Sequence, residues 1–379
     1  MSLLTKEEAL YFIENVLQVK DIPKSTIKDL PTEEKFNFLH TILSRFLETE
    51  PFQSITLMAV DLDKRRRPTW QEIKTDMFAC RGGLCYSQNA FMFALLTAIG
   101  LDVSMTRATW PCAENQPNNH LCLLLHGLAF PDVDHLVDIG AGYSLPRVIS
   151  LGFEKESPEF TDSFQTYKIA KESESKCVFN LKNKRSSRSN NTEPADDQDV
   201  EVKEGSSFRI LPNKVDEWSV CYYFNPLDRY KDLEPLYPDF DNVFTDPTKL
   251  LFHRSPRCMH WPGGEFLGIV ELEFITEDEE HTLIKKHVSQ MVRSDDKAND
   301  TDIERAPLGE CNNKRNVMDA LVAMYDTYFP QFASGEVRAA IENWKAITND
   351  TGRELNKVEH LCQEHLSNLA LEDKHQASL

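Results

Sequence analysis

"RGGLCYSQNAFMFALLTAIG", Arg81 to Gly100, sets the reading of the whole chain. Two adjacent glycines lead into a cysteine, and the run that follows is apolar almost all round. Such a run reads as a buried helix that starts at Cys85 and ends at Gly100. Gly82 and Gly83 permit backbone geometry closed to other residues. A thiol at the start of a helix also sits where the dipole favours negative charge. A cysteine is a strong nucleophile only as thiolate, which needs an imidazole, a helix N-terminus, or both. The same turn also serves as plain scaffolding before a buried helix, so a base has to be sought elsewhere in the chain.

Upstream, the pattern is helical. "TKEEALYFIENVL" begins with a Thr and has Glu three residues on, a capping-box signature. "PTEEKFNFLHTILSRFLETEPF" carries Phe36, Phe38, Leu39, Ile42, Leu43 and Phe46 along one stripe and stops before Pro51. "PTWQEIKTDMF" reads as a short helix after Pro68. Downstream of Leu101 the texture changes to short β-like runs: "DVSMTRATW", "HLCLLLHGLAF", "HLVDIGAGY", "SFRILP" and "WSVCYYFNP". These suggest a small antiparallel barrel or sandwich, with the aromatic "CYYFNP" in its core. Residues 182–207 are nearly free of large apolar side chains and read as a disordered insertion between strands. A strand-like "EFLGIVELEFI" and a helical segment follow, then a polar linker from Arg293. The helical stretches "NVMDALVAMYDTYF" and "EVRAAIENWKAI" come next, and their pattern suggests packing on a lid or on another subunit.

The formal net charge of −19 over 379 residues argues against a nucleic-acid binder, which needs converging Lys and Arg. The basic runs at Lys64–Arg67 and Lys182–Arg188 are short and isolated. No apolar run approaches the roughly 20 residues of a membrane span, and the acidic N-terminal helix lacks the character of a signal peptide. The nine cysteines are odd in number and show no CxxC or His-rich metal spacing. The expectation is a cytoplasmic protein with free thiols and no bound metal.

His120, His126 and His135 all fall in the strand-rich region, and each is a candidate base for Cys85. Asp138 ends an apolar strand at a glycine-rich turn. A carboxylate there is costly unless paired, which marks it as a partner within a site. Residue chemistry alone does not choose among the three histidines.

"RGGLCYSQN", then "NNHLCLLL", then "HLVDIGAG" resembles, in that order, the arylamine N-acetyltransferase family. The family pattern is Arg-Gly-Gly-x-Cys, a His opening a strand, and an Asp in an Asp-x-Gly-Phe-Gly turn. "EPFQSITLM" is similar to its Pro-Phe-Glu-Asn-Leu segment, and the resemblance covers roughly residues 5 to 292. It implies an α+β fold: an N-terminal helical bundle with the catalytic Cys (1–100), a central antiparallel β-barrel (101–225) and an α/β lid (226–292) on a cysteine-protease-like core. A linker and helical C-terminal extension (293–379) lie beyond it. It implies Cys85 as nucleophile, His120 as base and Asp138 as orienter, with Arg81 and Asn89 bracing the site. Gln116, Pro117 and Thr248 fall at positions near the acyl donor, and Asn119 and Ala141 at the acceptor. The implied chemistry is ping-pong transfer of acetyl from acetyl-CoA, through a Cys85 thioester, to an arylamine, hydrazine or related amine, as in xenobiotic metabolism.

Several residues depart from the family pattern. Ser87 stands where relatives carry Glu or Gln. Gln53 and Ser54 replace the Glu-Asn of the approach segment, so Arg81 loses its expected carboxylate. Ala141 replaces the Phe of the aspartate turn, which should enlarge the acceptor pocket. Two alternatives use the same residues: a thiol hydrolase or transglutaminase-like enzyme with the same triad, and a non-catalytic binding protein on this scaffold.

Overall fold

The computed structural model describes residues 3–23, 27–111, 117–163, 165–183, 218–247, 251–253, 256–264 and 267–269, and most of 319–344. Helix α1 (Lys6–Tyr11) starts at Thr5, whose hydroxyl accepts from the Glu8 N–H while the Glu8 carboxylate accepts from the Thr5 N–H. This is the capping box read from the sequence. Helix α2 (Thr32–Thr49) has Glu33 and Glu34 in its first turn, buries Phe38, Leu39, Ile42, Leu43 and Phe46, and ends ahead of Pro51. A two-residue strand β1 (Phe52–Gln53) and a single helical turn α3 (Ile55–Met58) follow. Helix α4 (Trp70–Phe78) starts at a second capping box, Thr69 with Glu72. Helix α5 (Cys85–Ala98) is buried from Cys85 to Leu96, as its all-round apolar sequence requires. Phe91 of α5 meets Phe12 with ring centroids 4.7 Å apart, which ties the N-terminal helices to the central one.

The expected barrel is an eight-stranded antiparallel sheet, ordered β5-β4-β3-β2-β9-β8-β7-β6. Its strands are β2 (Val103–Thr109), β3 (His120–Leu125), β4 (His135–Val137), β5 (Ile149–Ser150), β6 (Phe160–Asp162), β7 (Gln165–Ser173), β8 (Lys176–Asn183) and β9 (Ser219–Phe224). The hairpin β7–β8 has no counterpart in the sequence reading. Tyr167 and Ile169, then Cys177, Phe179 and Leu181, are buried at alternate positions, with the partly exposed or exposed Lys168, Lys171, Lys176 and Lys182 among and around them. That alternation is a strand signal which the charged residues mask as a surface segment. Strand β8 takes the first two residues of the polar insertion; 184–207 of it, and "SFRILP", lie outside the described residues.

Register positions the site. Strands β3 and β4 pair Leu123 with Val137 and Leu125 with His135. His120 and Asp138 therefore lie toward one end of the pair, and His126 and His135 toward the other. At about 3.3 Å per residue, the length of β3 separates His120 from His126 by about 20 Å.

Beyond the large sheet, helix α6 (Tyr237–Thr245) packs Phe240 on Tyr86 of α5, with centroids 4.7 Å apart. Strands β10 (Cys258–His260) and β11 (Leu267–Ile269) join β1 in a second antiparallel sheet. The helical residues 325–328 and 334–344 pack Tyr325, Phe329, Phe332, Ile341 and Trp344 against Ile55, Met58 and Cys258. The C-terminal extension thus lies on α3 and β10, close to the turn before Cys85. Among the described residues, no helix is long and apolar enough to cross a membrane.

Candidate active site

The turn before Cys85 is held at every residue. Gly82 has φ +61°, and a Cβ there would lie 1.8 Å from the Pro51 carbonyl oxygen, so only glycine fits. Its N–H donates to Glu50 Oε2 at 2.8 Å. Gly83 donates to the Pro51 carbonyl and accepts from the Gln53 N–H, both at 3.1 Å. Leu84 then caps α5 with extended backbone, and Cys85 is the first helical residue. The thiol is 2% exposed and lies 3.9 Å from the Asn119 carbonyl oxygen.

His120 opens β3 and is buried. Its Nε2 donates to Asp138 Oδ2 at 2.7 Å, and the Cys85 sulfur, beside the same ring, also favours its charge. With Nε2 engaged by a carboxylate that only accepts, Nδ1 is the nitrogen left for sulfur. Burial opposes charge on His120, but Asp138 and the Cys85 sulfur outweigh it and hold the imidazole well above its ordinary value. Asp138 also accepts from Asn89 Nδ2 at 2.9 Å and from the Gly140 N–H at 3.1 Å. Asn89 donates to the Leu121 carbonyl at 2.7 Å and accepts from the Ile139 N–H at 3.3 Å, so one side chain bridges α5, β3 and the aspartate turn. That turn approaches α5 so closely that a Cβ on Gly140 would stand 2.6 Å from Asn89 Nδ2 and 2.9 Å from Cys85 Cα.

Aromatic rings wall the imidazole. Tyr222 lies 4.9 Å from it, centroid to centroid, and stacks on Phe179. Trp110 lies 6.2 Å from it and stacks on Tyr143. Burial, then the neighbouring Asp138, pushes the Tyr222 hydroxyl far above its usual range. These neighbours escaped the sequence reading; the alternation in "CYYFNP" placed Tyr222 in a core but not against a histidine.

The other two histidines are engaged elsewhere. His126 bonds Ser104 Oγ at 2.7 Å and Asp134 Oδ1 at 2.6 Å. His135 packs against Phe36, and burial lowers its pKa. Cys80 and Cys122 are not activated: burial, then Glu50, pushes Cys80 up to about 11, and burial, then Asp138, raises Cys122 well above its ordinary value. Among the described residues, no group of His, Cys, Asp and Glu is placed to hold a metal ion.

A buried thiol beside an imidazole that is hydrogen-bonded to a carboxylate is an arrangement suited to nucleophilic attack. The family model described as N-acetyltransferase matches residues 35–304. The chain belongs to the arylamine N-acetyltransferase family. Solved arylamine N-acetyltransferases share its fold. The Mycobacterium abscessus protein aligns with TM-score 0.54 at 13% identity, over 90% of this chain and 95% of its own. The Mycobacterium marinum protein aligns with TM-score 0.51 at 16% identity, over 87% and 97%. No curated protein sequence matches significantly.

As an arylamine N-acetyltransferase family member, the chain has departures with local structural reasons. Ser87 is buried, and a Cβ on Gly83 would stand 2.8 Å from the Ser87 Cβ, which accounts for glycine at 83; nothing in the structure explains serine at 87. Gln53 turns to Thr56, donating to its hydroxyl at 3.0 Å, and Ser54 Oγ accepts from the Arg257 N–H. Arg81 does find carboxylates, at Asp76 Oδ1 (2.9 Å) and Glu336 Oε1 (2.5 Å). Ala141 is buried. The Asn119 amide is spent on the Trp110 backbone, accepting from its N–H at 2.8 Å. Pro117 lies in an exposed turn; Gln116 and Thr248 lie outside the described residues.

Proposed function

We propose that this chain transfers an acetyl group from acetyl-CoA to an arylamine, hydrazine or related amine through a thioester on Cys85. The observation that carries the reading is His120, bonded to Asp138 at 2.7 Å and raised in pKa by Asp138 and the Cys85 sulfur against its burial. In the first half-reaction the His120 imidazolium, charged as its raised pKa requires, holds Cys85 as a thiolate, and the sulfur attacks the thioester carbonyl. The N-terminus of α5 and the imidazolium both favour negative charge at that sulfur. Collapse of the tetrahedral intermediate expels the CoA thiolate, which takes the proton from His120. In the second half-reaction the amine attacks acetyl-Cys85, His120 accepts the amine proton, and the Cys85 thiolate leaves. Asp138 keeps its charge throughout and fixes the ring through Nε2. At 2% exposure the thiol receives a donor only after its covering side chains move.

Pro117, with Gln116 and Thr248, is assigned to the CoA side, and Asn119 and Ala141 to the acceptor side; a buried Ala141 favours a bulkier amine. The described cysteines are all free, which supports a reducing, cytoplasmic setting. Steady-state kinetics with acetyl-CoA and a panel of aromatic amines and hydrazines test the reading. Acetylated amine with parallel double-reciprocal lines is the expected result, and no acetylated product from any acyl-CoA and amine pair refutes it.

A further inference from the structure

The family match ends at residue 304, yet a residue beyond it reaches the turn that presents Cys85. The Arg81 Nη2 donates to Glu336 Oε1 at 2.5 Å, its Nε donates to Asp76 Oδ1 at 2.9 Å, and its guanidinium carbon lies 5.4 Å from the centre of the Phe332 ring. Arg81 is thus clamped between α4, which it follows, and the C-terminal helical residues. Its neighbours are held as tightly: Gly82 by Glu50, and Gly83 by Pro51 and Gln53. Arg81 is the one residue of this turn whose side-chain restraint comes partly from outside the N-acetyltransferase region.

The ion pair is not what attaches the C-terminal segment. Phe332, Ile341 and Trp344 are buried against α3, Tyr325 Oη donates to the Pro256 carbonyl at 2.6 Å, and Asn343 Nδ2 donates to the Met58 carbonyl at 3.0 Å. An ion pair whose side chains are both 22% exposed adds little to such an anchorage. Its consequence falls on Arg81. The segment is docked by these contacts, and Glu336 projects from it onto the residue four before Cys85.

We propose that Glu336 is a positioning residue: through Arg81 it fixes the turn that aims the Cys85 sulfur at His120. The inference rests on the reading of Cys85 as the reactive thiol. A small displacement of such a turn is costly to rate, because alignment of sulfur and imidazole sets both thiolate content and attack geometry.

The test is the rate of Cys85 alkylation by iodoacetamide on the full chain, followed by peptide mapping from acid to alkaline pH. Glu336→Ala should lower the neutral-pH rate by about tenfold and move the profile to the alkaline side. In a double-mutant cycle with Arg81→Gln, the double variant should be no slower than the slower single one. Arg338→Ala, which breaks the exposed pair with Asp319 on the same segment, should alkylate like the parent. A parental rate and profile in Glu336→Ala overturns the proposal. So do losses that multiply in the double variant, or an equal loss in Arg338→Ala, which would report general loosening. Alkylation involves no acyl donor, so the result is independent of whether acetyl-CoA acylates Cys85.

Discussion

Asn89 donates from Nδ2 to Asp138 Oδ1 at 2.9 Å, from a position one turn along α5 beyond Cys85. The helix that carries the thiol therefore also carries the brace for the carboxylate bonded to His120. Asn89→Ala removes this bond and two others, leaving buried partners unpaired. A loss of about 1–3 kcal/mol in unfolding free energy is expected, with activity down at least about tenfold through misplacement of His120. Chemical denaturation and turnover measured on the same preparation check both.

Gly140 is where the aspartate turn passes over Cys85. Gly140→Ala places a methyl group 2.9 Å from Cys85 Cα and 3.0 Å from its carbonyl oxygen, contacts only backbone movement can relieve. The variant should be destabilised by about 1–3 kcal/mol and lose most of its activity. Gly263→Ala tests backbone strain in an open position: a Cβ there meets nothing within 4 Å, although φ is +62°. Its activity should stay near that of the parent.

His120 gives a pH signature. Burial works against its charge, but Asp138 holds it well above the ordinary value near 6.5. A raised pKa stabilises the fold fully below the unfolded value, and that stability is lost as pH rises through the folded one. Asp138→Asn removes the cause. The parent's excess melting temperature over Asp138→Asn should be largest near about pH 6 and should shrink toward about pH 10. A difference constant over that range would show that Asp138 does not sustain the charge.

Much of this was legible in residue pattern. Thr5 with Glu8 and Thr69 with Glu72 announce helix starts, because a cap is a local bond between residues three apart. The all-apolar run after Cys85 announces a buried helix. The choice of His120 over His126 and His135 came from resemblance and not from residue chemistry, since strand register is a non-local property. Pairing of Leu125 with His135 is what sends those two histidines to the far end of the sheet. The carboxylates on the catalytic turn were invisible for the same reason. Glu50 and Glu336 reach Gly82 and Arg81 across 32 and 255 residues of chain, and no periodicity records such a meeting. Strands β7 and β8 were missed because their lysines mask the alternation that buries Tyr167, Ile169, Phe179 and Leu181.

Trp344 tests whether the C-terminal segment is integral to the fold. It is 2% exposed in a cluster with Ile55 and Met58. Trp344→Ala should cost about 3–5 kcal/mol and lower the melting temperature in a single cooperative transition. A separate low-temperature step with an unchanged main transition would show that the segment unfolds independently.

The most direct test of the central claim is intact mass after brief exposure to acetyl-CoA, with peptide mapping of the adduct. One acetyl group should appear on Cys85, none on Cys85→Ala, and it should leave when an aromatic amine is added. The same adduct should form far more slowly in His120→Ala and at the parental rate in His126→Ala. An acetyl group mapped to another cysteine, or equal rates in the two histidine variants, would contradict the assignment of Cys85, His120 and Asp138 as the reacting set.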